Sequence, residues 1–146
     1  MSEVKIEKMS IVEKILAFVK GGNESRVSSF VNYTVKQYEK TISNRKKAIT
    51  KQTEDCIDEL ERMNDILNDF IEEQESIILS VDVDKIKTRD DIESYFQDYD
   101  YKVSRAIAKV EEQKQLIEAY KESSDKKIKG FEEDIRKTEL KLSHLK

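Results

Sequence analysis

A chain of 146 residues, 40% charged and 37% apolar, fits one domain and carries too little apolar material for a thick globular core. The absence of proline and the presence of only three glycines favour long helices with narrow apolar stripes, and regularly recurring Ile, Leu and Val argue against disorder. One cysteine, Cys56, excludes an internal disulfide framework, and no stretch approaches the ~20 apolar residues of a membrane span, so the expected compartment is the cytoplasm.

The first predicted element is a short amphipathic helix over residues 4–20. Met9, Val12, Leu16 and Val19 form one row, with Ile11, Ile15 and Phe18 beside it. Acidic residues interrupt the apolar run that a secretory leader would need. Gly21 and Gly22 end the helix, because glycine accepts the left-handed backbone of a helix terminus. Asn23 or Ser25 can cap the next one.

The second predicted helix covers 24–79. Its apolar seam starts at Val31, Val35, Tyr38 and Ile42 and continues through Arg45, Ile49, Gln52 and Cys56. Beyond that lie Leu60, Met63, Leu67, Phe70, Gln74, Ile77 and Val81. The spacings alternate four and three, with one extra step of four around Cys56. That is a heptad repeat with one stutter, the pattern of coiled-coil packing.

Residues 80–88, SVDVDKIKT, break the pattern and read as a turn. Thr88 with Asp91 three residues later resembles a capping box, with aspartate standing where glutamate is usual. It would open a third helix over 89–145. The seam there runs Ile92, Phe96, Tyr99, Val103, Ala106, Val110, Gln113, Ile117 and Tyr120. It continues through Ser124, Ile128, Phe131, Ile135, Thr138, Leu142 and Leu145.

Two helices of about 56 residues would each reach about 85 Å. A nine-residue connection cannot traverse that distance, so the expected fold is all-α: a long antiparallel coiled-coil hairpin with the short N-terminal helix packed at its open end. Facing residue numbers would add to about 168. Tyr38 would then face Gly130, and Arg45 would meet Ser123 and Ser124 in a polar layer that fixes register. The whole chain, 1–146, reads as a single helical domain.

Charge is sorted along this hairpin. Residues 1–53 hold 11 basic and 5 acidic side chains, residues 54–100 hold 4 and 17, and residues 101–146 hold 12 and 9. The turn end is therefore strongly acidic, and within DDIESYFQDYDY (90–101) aromatic residues accompany the acids. Aromatic anchors ringed by charge make effective binding sites. The candidate partner-binding residues are Asp82, Asp84, Asp90, Asp91, Glu93, Tyr95, Asp98, Asp100 and Tyr101. Ile92, Phe96 and Tyr99 are assigned to the core.

No catalytic, cofactor or metal site is expected. His144 is the lone histidine and Cys56 the lone cysteine, too few for a triad or a transition-metal centre. The acids between Asp82 and Glu93 echo a calcium loop, but Lys87 stands where such a loop needs glycine. Basic clusters around Arg45 and Lys126 are interrupted by acids and lack aromatics, which argues against direct nucleic-acid binding. The leading expectation is a non-enzymatic adaptor, assembly factor or inhibitor that meets a basic protein surface through its acidic tip. A DNA mimic of phage or mobile-element type and a structural spacer are the alternatives. Apolar residues beside the seam, Ile57, Ile66, Ile71, Ile78, Leu79, Ile107 and Leu116, point to a homodimer or higher oligomer.

Overall fold

The computed structural model describes residues 24–145, so the expected helix over 4–20 and its Gly21–Gly22 terminator lie outside the described residues. Two long helices pack against each other as a helical hairpin, and among the described residues there is no strand. Helix α1 spans Glu24–Leu79 and α2 spans Arg89–Ser143. The connection between them contains one 3-10 turn, Val83–Lys85.

The described chain falls into two compact units. One is Glu54–Asp125, which holds the turn; the other consists of residues 24–53 and 126–145. In the turn-containing unit the buried residues are seam residues: Met63 on α1, with Ala106, Val110, Gln113, Ile117 and Ser124 on α2. Leu60, Leu67, Phe70, Gln74 and Ile77 are partly buried on α1, as are Val103 and Tyr120 on α2. The buried amide of Gln113 donates from Nε2 to the Met63 carbonyl at 3.1 Å, so this polar seam position is satisfied across the interface.

In the other unit, Val27, Thr138 and Leu145 are buried, and Ile42, Ile49, Ile128 and Ile135 partly so. Arg45 forms an ion pair with Asp134 at 3.4 Å and lies 5.8 Å from the centre of the Phe131 ring. The guanidinium thus finds an acid and an aromatic face in place of the expected serine layer.

The cross-helix pairs fix the register. Tyr99 Oη donates to the Ile78 carbonyl, Gln113 reaches Met63, and the Tyr120 hydroxyl reaches the Asp55 carbonyl. Lys109 pairs with Glu73 at 3.3 Å. Partners on α2 advance as those on α1 recede, and the paired numbers add to 175–182 where about 168 was expected. The difference arises at the connection, which is folded beside the first turns of α2 instead of arching symmetrically over both helix ends. Ser80 meets Tyr95, which lies almost two turns into α2. The same shift removes the expected role of Gly130. A Cβ there would meet nothing within 4 Å, so no close approach of Tyr38 demands the glycine.

Candidate functional site

The turn end of the acidic unit is built from backbone needs first. Asp82 caps the 3-10 turn, its carboxylate accepting from the Asp84 N–H at 3.1 Å. The capping box at α2 forms as the spacing predicts. Asp91 N–H donates to Thr88 Oγ1 at 3.2 Å, and Asp91 Oδ2 accepts from the N–H groups of Thr88 and Lys87 at 3.0 and 3.2 Å. Asp90 and Asp91 in the first turn also suit the positive end of the helix dipole.

Tyr95 holds the connection against α2. Its hydroxyl accepts from the Asp82 N–H at 2.8 Å and donates to the Ser80 carbonyl at 3.1 Å. Its ring stacks on Tyr99, with centroids 6.4 Å apart and planes inclined by 14°. Asp98 pairs with Lys102 at 3.0 Å, one helical turn on. These two tyrosines, Ile77, Ser80, Asp82, Lys85, Asp98 and Lys102 line an open cleft of about 210 Å³.

The nine residues selected from sequence therefore divide by duty. Asp82, Asp91 and Tyr95 form hydrogen bonds that shape the turn, and Asp98 is ion-paired. Asp84, Asp90, Glu93 and Asp100 are exposed. Tyr101 is exposed too, its hydroxyl accepting from Arg105 at 3.3 Å.

Two residues assigned to the seam are on the surface instead. Ile92 is 53% exposed and Phe96 62% exposed. By the observed register they would face positions near 85 and 81, beyond the end of α1 at Leu79. With no helix opposite, the seam on α2 passes through Tyr95 and Tyr99, and Ile92 and Phe96 are left in water. Leu79, Val81 and Val83 are exposed in the same segment, Leu79 by 82%. Apolar surface of this size within an acidic segment is the feature that heptad spacing alone concealed. Its one signal was that Val81 falls inside the nine-residue turn and Ile92 only four residues beyond it.

A second exposed arrangement runs along α1. Glu54, Asp58, Glu61, Asp65, Asp69, Glu72 and Glu75 follow one another at three- or four-residue steps, and all are exposed. The column extends about 32 Å, with one carboxylate per ~5 Å. The unit Glu54–Asp125 as a whole carries 22 acidic and 9 basic side chains, net −13.

Titration behaviour reflects local pairing. Arg62, hydrogen-bonded to Glu59, holds that carboxyl below the usual range, and Arg136 does the same for Glu133. Burial pushes the Tyr120 phenol up, helped by the nearby carboxylates of Glu59 and Asp55. Among the described residues no group of His, Cys, Asp or Glu side chains is arranged to hold a metal ion. None of the described helices is long and apolar enough to cross a membrane. Compared with known proteins, the chain matches no family model, no curated protein and no solved structure.

Proposed function

We propose that this protein is a non-enzymatic interaction module, an adaptor, assembly factor or inhibitor acting in the cytoplasm. It engages a basic protein surface through the turn end of an antiparallel coiled-coil hairpin. One observation carries the reading: Ile92 and Phe96 are exposed among Asp90, Glu93 and Asp100. Apolar side chains supply affinity when covered, at about 25 cal/mol per Å², while the surrounding carboxylates steer and select a cationic partner. Tyr101 adds an aromatic anchor of the kind enriched at binding hot spots. Self-association, the expectation from sequence, has the exposed Leu116 and the partly buried Ile66 available on one flank of the seam.

The test is capture from the native cell at low and high salt. Replacing Asp84, Asp90, Glu93 and Asp100 with lysine spares the capping carboxylates Asp82 and Asp91. The expected result is loss of capture with helicity intact; undiminished capture rejects the reading.

DNA mimicry is the second reading, favoured by the seven-carboxylate column on α1. Duplex DNA presents one phosphate per ~3.4 Å along each strand, so the column is a sparser but continuous array. If it acts as a mimic, lysine at Asp58, Asp65 and Glu72 abolishes capture and duplex DNA competes for the captured protein. Failure of both leaves only the turn-end reading.

A further inference from the structure

The flank of the acidic unit that follows the seam carries an apolar stripe. On α1, Ile57, Ile71 and Ile78 recur at multiples of seven, each one residue after a seam position, so they share one face. Ile57 is 60% exposed and Ile78 39% exposed, while Ile71 is partly buried. On α2, Ile107 likewise follows the seam residue Ala106 and is 43% exposed. The observed register sets it opposite Ile71. Glu73 and Lys109, each one residue before the seam, meet at 3.3 Å. Residues preceding the seam thus share one flank, and those following it share the other.

We propose that this stripe is the seat of a basic amphipathic α-helix from a partner protein, which would lie along the hairpin as a third strand. The inference rests on the reading that the acidic unit engages a cationic partner, and it supplies the partner's form. Isoleucines seven residues apart repeat every ~10.5 Å, which matches the i, i+7 spacing of another helix and not that of an extended strand. Asn64 occupies the one polar position of the row and is exposed, the kind of residue that sets register at a helix interface.

Charge selects the partner's chemistry. Glu54, Glu61 and Glu75 lie three or four residues from the stripe isoleucines on α1 and are exposed. The lysines on the α2 side of the same flank are already met by acids, Lys114 by Glu111 at 3.7 Å and Lys121 by Glu118 at 3.4 Å. With the unit at net −13, a second copy of the same surface would be repelled, whereas lysines and arginines flanking the partner's apolar row would face glutamates.

The test uses the full chain and a labelled synthetic helix of about 21 residues, with leucines on one face and lysine or arginine beside them. Its two controls are an analogue with glutamate for each basic residue and a scrambled peptide of identical composition. Binding is read by fluorescence anisotropy. The basic helix should bind saturably, and both controls at least about tenfold more weakly. Two variants, Ile57→Ser/Ile78→Ser/Ile107→Ser and Glu54→Lys/Glu61→Lys/Glu75→Lys, alter exposed residues and should each weaken binding by about tenfold or more. Circular dichroism verifies that they remain helical.

Equal affinity for basic and scrambled peptides, or unchanged affinity in either variant, overturns the proposal. A wild-type dimer that the isoleucine variant dissociates would also overturn it, by showing a second copy on the stripe. Crosslinks from residues 4–20 to the stripe would do the same by assigning it to the chain's own N-terminal segment. Lysine at Asp84, Asp90 and Glu93 serves as the separating control. If that variant alone abolishes native capture while the stripe variants have no effect, this inference fails and the proposed function stands. Loss of native capture in the stripe variants alone leaves this inference standing and rejects the turn end as the contact.

Discussion

Removing the hydroxyl of Tyr95 separates a structural role from a binding role at the turn. Tyr95→Phe keeps the ring and its stacking on Tyr99 but deletes the acceptor for the Asp82 N–H and the donor to the Ser80 carbonyl. A neutral hydrogen bond contributes about 0.5–1.5 kcal/mol net, and because Ser80 and Asp82 are near solvent, water replaces part of each. The expected cost is therefore about 1 kcal/mol for the pair. For a helical hairpin of this size that corresponds to a fall in melting temperature of about 3 °C. The local effect should be clearer: amide exchange at Asp82 should accelerate about fivefold, while exchange at seam residues such as Met63 follows only the global change. Tyr99→Phe, which loses one bond to the Ile78 carbonyl, should cost about half as much. Unaltered exchange at Asp82 would refute the tether. Loss of partner capture with the connection intact would show that the hydroxyl belongs to the interface.

Three further predictions concern packing and pH. Gly130→Ala should stabilise the protein by about 0.5–1 kcal/mol in chemical denaturation, because the added Cβ meets open space and alanine favours helix; destabilisation would show that another chain segment approaches there. Phe96→Ser should change stability by less than about 0.5 kcal/mol, whereas Ile117→Ala, at a buried seam position, should cost about 2–4 kcal/mol. Similar costs for the two would place Phe96 in the core after all. Tyr120 titrates above the usual tyrosine range, so its neutral form favours the fold. That contribution is intact below the unfolded phenol's pKa, about 10, and is lost as pH rises through the higher folded value. A near-ultraviolet phenolate titration of wild type against Tyr120→Phe should show a late-titrating group in the wild type only.

Much of the helical architecture could be read from residue spacing, because apolar side chains at alternating three- and four-residue steps have few alternatives to a two-helix seam. From Val31 to Ile77 on α1 only Arg45 departs from that pattern of burial, and it is held by Asp134 and Phe131. Thr88 and Asp91 marked the start of α2 because capping is a local interaction with a fixed spacing. Register was harder to read. It depends on how the connection folds, and nothing in SVDVDKIKT announces that Tyr95 will bind its backbone at Ser80 and Asp82. The facing positions are displaced by roughly two turns from the symmetric expectation, as the Tyr99–Ile78 and Gln113–Met63 bonds show, and Ile92 and Phe96 lie past the end of α1. In the candidate site, residue types identified the acidic segment. They could not distinguish carboxylates used in capping, Asp82 and Asp91, from those left to solvent, because both groups are aspartates a few positions apart.

Carboxylate footprinting on the complex isolated from native cells locates the contact surface residue by residue. Free and bound protein are labelled with a water-soluble carbodiimide, and modification is compared residue by residue. Asp84, Asp90, Glu93 and Asp100 should react readily in the free protein and be protected in the complex. Asp82 and Asp91, already engaged with backbone amides, should change little. Equal labelling of the four exposed carboxylates in both states would contradict the claim that the turn end meets the partner.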